Sequence, residues 1–481
     1  MGIDIQQWIE DNKEQFIKIS DEVWQYAELG LFETKSSELH VKILREAGFQ
    51  VTHGVADLPT AVMATYGTEK PVIAILGEFD ALPGLSQQAI PVKKPVIDGA
   101  PGHGCQHNLY GAACLAACVV IKNKIEKGEL KGTICYYGSP AEENADGKGW
   151  MVKTGLFNNI DISLTWHPWD LNYVIANNFQ AMYNLVFQFQ GQTAHAAGDP
   201  FNGRSALDAV ELMNVGCNYL REHIIPDARI HYVITKGGKA PNIVPDEAEV
   251  WYYVRAPLLD QVKEIYERVK KVAKGAALMT ETEVKIILLG GSANMLPNTT
   301  LENLLHEKMT EVGSPQFTEE DLNFAREIMK SFPDRYFDNY ISFMPHDIRS
   351  YLLKFQDKEF CEEILPIFGR GVTQGGSTDV GDVSWVTPLA QFATSCGVIG
   401  TPGHSWQFTA QAGMHIGHTG MIQAAKVLAL ATAELMQNPE LVERARHEFE
   451  EQVRATPYDC PLPEDSKPPL DYFKRIYDIK S

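Results

Sequence analysis

Short apolar segments alternate with a helical pattern in the first third of the chain. Residues 72–77 (VIAILG), 133–138 (TICYYG) and 160–166 (IDISLTW) have the composition of buried strands, and residues 108–124 form an alanine-rich helical segment. Strands that alternate with helices are typical of an α/β layer with a mostly parallel sheet. Ligand sites of such sheets lie beyond the carboxyl ends of the strands, where this chain carries ionisable residues.

A different rhythm begins after residue 178. Apolar side chains occupy every second position of one segment, which predicts a strand: Tyr183, Leu185, Phe187 and Phe189. A 4-3-4-3 spacing of apolar residues then predicts a helix over residues 206–220. Two further strand patterns, a second helix and a last strand complete the order βαββαβ, the split ferredoxin-like unit. We therefore predict an inserted domain over residues 178–295.

The predicted fold class is α/β, with a main domain that the inserted unit divides in two. The main domain takes residues 1–177 and 296–481, and its mostly parallel sheet is flanked by helices. Residues 314–370 mix acidic and basic side chains without a regular period. We interpret that segment as a mostly helical excursion on the surface.

The charge balance narrows the possible partners. The 42 Lys and Arg residues against 62 Asp and Glu residues give a net charge of −20, which repels phosphate backbones and anionic lipid. No apolar run approaches the ~20 residues that span a bilayer, and the acidic N-terminus has no signal-peptide pattern. The eight cysteines show no framework spacing. These features predict a reduced, cytoplasmic protein that binds neither nucleic acid nor membranes.

The segment 103–108 (HGCQHN) carries the most specific chemistry. Cys105 and His107 are two residues apart in a turn before the predicted helix, so both side chains can face one cleft. A thiolate and a neutral imidazole are good ligands for zinc or a similar divalent ion. Two alternatives stay open at this point: a buried thiol beside a solvent-facing histidine, or a cysteine nucleophile with a histidine base.

Further metal-ligating side chains follow the other strands. Glu142 and Glu143 come after the second strand, and adjacent side chains of an extended segment point apart, so one carboxylate could bind a metal while the other faces its water. His167 ends the third strand, and His404 lies in a glycine-proline loop. Each alone is more often a surface acid or a satisfied histidine. Five residues together suffice for two metal ions with one shared ligand: Cys105, His107, Glu143, His167 and His404.

Other enzyme signatures are missing from the sequence. The chain has no G-x-S-x-G elbow, no G-x-G-x-x-G after a strand, no Walker A loop and no H-E-x-x-H helix. Serine hydrolases, dinucleotide enzymes, phosphotransferases and zincins therefore lose their main sequence evidence.

Ten segments in the same order resemble the di-metal aminoacylase and carboxypeptidase family over nearly the whole chain. The nearest branch is that of the auxin-conjugate amidohydrolases and p-aminobenzoyl-glutamate hydrolases. The segments are WQYAELGLFE (24–33), GEFDALPG (77–84), HGCQHN (103–108), SPAEEN (139–144), TWHP (165–168), GQTAHAA (191–197), PNIVP (241–245), VRAP (254–257), GGSTDVGDVSW (375–385) and GTPGHSW (400–406). The resemblance implies a catalytic main domain and an inserted lid or dimerisation domain.

The resemblance also implies a centre with two divalent ions, Mn²⁺ or Zn²⁺. Its ligands would be a bridging Cys105, the pair His107 and His167 at one ion, and the pair Glu143 and His404 at the other. The family's H-x-D motif appears here as Glu78-Phe79-Asp80, without the histidine, so Asp80 is expected to orient a ligand rather than to bind an ion itself. Gln106 replaces the glycine usual in the Cys-Gly-His motif of the branch.

The remaining roles are implied by position in the matching segments. Glu142 would be the general base, and His195 of the inserted domain would polarise the scissile carbonyl in the active site of the partner subunit. Asn242 and Arg255 would hold the substrate, and a guanidinium suits a substrate carboxylate.

The expected reaction is hydrolysis of an amide bond by a metal-activated water. The expected substrates are N-acyl amino acids, p-aminobenzoyl-glutamate-like folate fragments or dipeptides, handled by a homodimer or by a heterodimer with a related subunit. The alternative is a non-catalytic partner subunit of a heterodimeric amidohydrolase.

Overall fold

A computed structural model of the chain describes residues 2–479. The strands are β1 (Gln50–His53), β2 (Val62–Tyr66), β3 (Val72–Glu78), β4 (Thr133–Ser139), β5 (Ile162–Trp169), β6 (Tyr173–Val174), β7 (Asn178–Phe179), β8 (Ala181–Gln190), β9 (Arg229–Lys236), β10 (Glu247–Ala256), β11 (Glu283–Ser292), β12 (Thr373–Gln374) and β13 (Leu389–Ser395). The helices are α1 (Gly2–Tyr26), α2 (Thr34–Glu46), α3 (His107–Glu126), α4 (Glu142–Ala145), α5 (Gly147–Lys153), α6 (Ala206–Leu220), α7 (Leu259–Thr280), α8 (Thr299–Val312), α9 (Glu319–Ile328), α10 (Tyr336–Phe343), α11 (His346–Leu352), α12 (Val380–Ser384), α13 (Trp406–Ala412), α14 (His415–Gln437), α15 (Pro439–Ala455) and α16 (Leu470–Ile476).

The main domain is built on a seven-stranded sheet in the order β1-β2-β4-β3-β5-β13-β6. The four central strands, β4, β3, β5 and β13, run parallel, while β1, β2 and β6 join the edges antiparallel. Strand β4 is buried along its whole length, which explains why it is a continuous apolar run rather than an alternating one. Helix α3 packs between the sheet, α1 and α14. The α/β prediction with a mostly parallel central sheet is confirmed.

The inserted unit is a four-stranded antiparallel sheet in the order β11-β8-β10-β9. Helices α6 and α7 pack together and against this sheet. The alternating residues of β8 explain the packing, because Leu185, Phe187 and Phe189 are buried in one core with both helices. This is the βαββαβ arrangement that the sequence pattern predicts.

The segment 314–370 contains three helices, α9, α10 and α11, as the interpretation of a helical excursion anticipates. It is more than a surface cover, because Phe337, Met344 and Ile348 are buried with Leu171 of the strand-end loop in a separate apolar cluster. The excursion therefore supports the loop that follows β5.

The C-terminal strap, residues 457–477, was not indicated by the sequence pattern. Tyr458 Oη donates a hydrogen bond to Asp382 Oδ1 of the main domain at 2.6 Å. Further along, Arg475 Nη2 donates to Glu249 Oε2 of the inserted sheet at 2.8 Å. The strap thus contacts both domains. No helix in residues 2–479 is long and apolar enough to cross a bilayer.

Candidate metal centre and active site

The carboxyl ends of the parallel strands bring the candidate ligands to one edge of the sheet. Glu78 ends β3, Glu142 and Glu143 follow β4, and His167 lies in β5. Helix α3 begins at His107, so the turn before it carries Cys105 into the same place. His404 comes from the loop between β13 and α13. This clustering at strand ends is the expected location of a ligand site in an α/β sheet.

Two groups of donor atoms share one cysteine. The donors of Cys105, His107 and His167 lie within 4.8 Å of one another, and so do those of Cys105, Glu143 and His404. Within the first group, Cys105 Sγ lies 3.5 Å from His167 Nε2. Within the second, His404 Nε2 lies 3.4 Å from Glu143 Oε1. All five ligands expected from the sequence are therefore brought together, in the two sets that the resemblance implies.

The expectation of an extended segment at Glu142 and Glu143 is wrong. Ala141 has a left-handed backbone (φ 59°), and the chain turns there into the one-turn helix α4. The two carboxylates still serve different groups of donors, since Glu143 lies with Cys105 and His404, and Glu142 with Glu78 and His107. A tight helical turn, not strand alternation, separates them.

Asp80 connects the two neighbouring segments. Its Oδ1 lies 2.8 Å from His107 Nδ1, and its Oδ2 accepts the backbone N–H of Glu143 at 3.0 Å. Burial alone would raise the pKa of Asp80, but His107 holds it below its usual range. With Asp80 accepting at Nδ1, the Nε2 atom of His107 is left to face the cluster. This is the geometry of a carboxylate that orients a ligating imidazole.

The backbone turn before α3 explains the substitution at Gln106. This residue adopts the left-handed region (φ 61°), where glycine is favoured. Its buried side chain compensates, because Nε2 donates to Phe408 O at 3.0 Å and to Cys396 O at 3.3 Å. The Cys105–His107 turn is thus formed without glycine.

The electrostatics of the cluster fit divalent cations. Burial, and then His107, lower the pKa of His167 to about 4, so its imidazole is neutral at pH 7. Burial, and then Glu143, raise the pKa of the Cys105 thiol well above its usual range. Burial, and then Glu78, raise the pKa of Glu142 as well. Because bound cations favour the charged forms of thiols and carboxylates, the donor set suits metal ions.

The same electrostatics argue against a cysteine nucleophile. A reactive thiolate needs an electropositive setting that lowers its pKa. The carboxylates around Cys105 act in the opposite direction, and the raised pKa leaves the thiol protonated when no cation is bound.

A pocket of about 490 Å³ opens onto the cluster. Arg255 of β10 lines its far side; its Nη1 donates to Ser377 Oγ at 3.3 Å, and its buried Nε has no partner within residues 2–479. Asp146, at the start of α5, also lines this pocket. A pocket with a metal-ligating wall and an opposing guanidinium suits an amide substrate that carries a carboxylate.

His195 and Asn242 do not join this pocket. Both lie on the inserted domain, where His195 forms a bridge with Ile243 and Asn242 O accepts the N–H of Ala196 at 3.1 Å. His195 Nδ1 accepts the N–H groups of Gly198 and Ala197 at 2.9 and 3.2 Å. This fixes the neutral tautomer, with the proton on Nε2 and the donor facing away from its own loop.

Sequence reasoning missed a buried ion network behind the cluster. Lys148 of α5 contacts Glu78 and Asp379, and all three side chains are at most 1% exposed. The position of Glu78 at the end of β3 was the one local signal for it. Nothing near Lys148 or Asp379 in the sequence indicates their meeting.

Known proteins match this chain along nearly its whole length. One subunit of the p-aminobenzoyl-glutamate hydrolase of Escherichia coli is 40% identical over 96% of this chain and 97% of its own. The chain belongs to the M20 peptidase family. The family's peptidase dimerisation domain matches residues 180–280. The Xaa-Arg dipeptidase of Mus musculus is 28% identical over 82% of this chain and 78% of its own.

Solved M20 structures share the fold. The aminobenzoyl-glutamate utilization protein of Klebsiella pneumoniae superposes with a TM-score of 0.61 at 18% identity, covering 90% of this chain and 98% of that one. A dinuclear metal binding peptidase of the M20 family from Bacillus subtilis gives 0.55 at 18% identity, covering 88% and 99%. The M20 relatives are named as hydrolases, dipeptidases and deacetylases, and this chain is accordingly an amide-bond hydrolase.

Proposed function

We propose that this protein is a two-metal amidohydrolase that cleaves N-acyl amino acids, p-aminobenzoyl-glutamate-like folate fragments or dipeptides. The observation that carries the proposal is the pair of donor groups that share Cys105. Thiolate, imidazole and carboxylate donors suit Zn²⁺, and Mn²⁺ is the other candidate. The relative at 40% identity is named for the hydrolysis of p-aminobenzoyl-glutamate, which makes this compound the first substrate to test.

Glu142 moves the proton in the proposed reaction. When bound, the two ions would lower the pKa of water and polarise the substrate carbonyl. Glu142 lines the pocket beside this cluster without belonging to either group that contains Cys105. Its raised pKa brings it nearer to that of a group able to accept a proton and pass it to the leaving amine at neutral pH.

Arg255 binds the substrate carboxylate in this proposal, because its guanidinium faces the cluster across the same pocket. His195 and Asn242 act on the partner subunit's pocket, since neither lines the pocket of its own chain. The Nε2–H of His195 would donate to the carbonyl oxygen as negative charge develops there.

The dimer would form through the edge strand β9. Tyr232, Val233 and Ile234 are exposed along this strand, which ends the inserted sheet at one side. An exposed apolar edge strand is a template for pairing with another chain. A second copy of this chain is one partner to test. A related protein is the other, because a Haemophilus influenzae homolog of a different p-aminobenzoyl-glutamate hydrolase subunit is 25% identical over 55% of this chain and 65% of its own.

The experiment is to purify the protein with Mn²⁺ or Zn²⁺, measure bound metal, and assay amine release from p-aminobenzoyl-glutamate, N-acetyl amino acids and dipeptides. Two ions per chain and turnover abolished by a chelator support the proposal. Metal-loaded, dimeric protein that is inactive alone but stimulates a related subunit would favour the non-catalytic partner. Turnover that a chelator does not affect would contradict the two-metal mechanism.

A further inference from the structure

A buried carboxylate outside the expected ligand set lies beside His107. Glu78 is 1% exposed, and its Oε2 lies 3.1 Å from His107 Nε2. Neither atom has a hydrogen-bond partner within the described part of the chain, and His107 Nδ1 already contacts Asp80. Buried polar atoms without partners cost free energy. A cation between these two atoms would satisfy both.

The other oxygen of Glu78 is held by the buried ion network. Lys148 Nζ donates to Glu78 Oε1 and, at 2.7 Å, to Asp379 Oδ1. The backbone N–H of Lys148 donates to Asp379 Oδ2 at 2.8 Å. These contacts fix the carboxylate of Glu78 so that Oε2 alone faces His107. Carboxylates that ligate metals are usually hydrogen-bonded in this way through surrounding groups.

We propose that Glu78 Oε2 is a further ligand of the divalent ion held by His107. The inference rests on the proposed two-metal function. Two donors about 2.1 Å from one ion and roughly at right angles lie about 3 Å apart, which matches the separation of Glu78 Oε2 and His107 Nε2. The donors of Glu78, His107 and Glu142 lie within 4.8 Å of one another, so Glu78 approaches the ion from the side of the general base.

A simpler role for Glu78 would be to neutralise Lys148. Asp379 already does so, with two contacts to the same residue. A second carboxylate on Lys148 leaves the network with a surplus negative charge, which a divalent ion at His107 would offset. Glu78 also takes the place of the histidine in the H-x-D motif, so a carboxylate ligand here replaces an imidazole ligand.

The test compares Glu78→Gln with Glu78→His. Each metal-free protein is titrated with Mn²⁺ by calorimetry, and bound metal is measured after dialysis. We expect two ions in the wild type, and at least about tenfold weaker binding of one ion in Glu78→Gln. Glu78→His should retain both ions, because imidazole is also a ligand. Both variants remove the charge that faces Lys148, so a role limited to neutralising Lys148 predicts equal effects.

Glu302→Gln is the matched control, because Glu302 is a buried carboxylate whose Oε2 accepts from Arg370 Nε at 2.7 Å in another part of the molecule. It should bind two ions with wild-type affinity. Unchanged binding in Glu78→Gln, or an equal loss in both Glu78 variants, would overturn the inference. If Glu78→Gln does not fold, Glu78→His decides alone, and loss of one ion refutes it. A wild type that binds no divalent ion would instead contradict the proposed two-metal function.

Discussion

Complementation between two inactive variants tests whether the active site is shared between subunits. Glu142→Gln removes the base from its own pocket, and His195→Ala removes a donor that lies outside that pocket. Random reassembly of equal amounts should give about half mixed dimers, each with one of two sites intact, so about a quarter of the wild-type activity returns. The prediction depends on His195 acting on the partner subunit.

The assay mixes separately purified variants after reversible dissociation, or co-expresses them with different tags. Mixed dimers are isolated by sequential affinity steps and loaded with Mn²⁺, and amine release from an active substrate is compared with that of each parent. Isolated mixed dimers should then reach about half of the wild-type rate, because one site of two is complete. The parents alone should remain near background.

His223→Ala serves as the control for exposed histidines of the inserted domain. It should be as active as the wild type, and mixing it with Glu142→Gln should only dilute the activity. Isolated mixed dimers of the two inactive variants that show no activity would refute transfer of His195 between subunits. Full activity of His195→Ala alone would remove the residue from the mechanism.

Three further outcomes are expected at the metal centre. Glu142→Gln should keep two ions but lose about 10²- to 10⁴-fold in kcat; near-normal turnover of the loaded variant would exclude it as the base. Cys105→Ser should lower the content of both ions in elemental analysis, whereas a nucleophilic cysteine predicts unchanged content. Because the pKa of Cys105 is raised, ion binding must release its proton, and Mn²⁺ affinity should rise about tenfold per pH unit between about pH 6 and 8; an affinity independent of pH contradicts this.

The sequence predicted the parts of the site that follow local rules. Cys105, His107 and His167 could be expected together because strand ends and helix starts meet at one sheet edge. The turn at Ala141 was missed, since a left-handed alanine has no local signature. The contacts of Lys148 with Glu78 and Asp379 span 70 and 231 residues of sequence. Only the folded chain brings such partners together, so neither composition nor period could indicate them.

The substrate pocket shows the same division between what was predictable and what was not. Arg255 was expected from its segment and lies in the pocket, whereas His195 and Asn242 lie outside it. Their roles stay predictions, because they depend on a second subunit. The resemblance could point to a shared site, but a single chain cannot display it.

The C-terminal strap gives the catalytic loop a mechanical connection to the inserted domain. Arg475 binds Glu249 of the inserted sheet, and Asn144 Nδ2, next to Glu143, donates to Tyr477 Oη at 2.8 Å. Asn184 Nδ2 of the same sheet donates to Asn144 O at 2.7 Å. A rotation of the inserted domain would therefore pull on the loop that carries the base and one ligand. The last turns of the chain thereby couple the orientation of the inserted domain to the catalytic competence of the site.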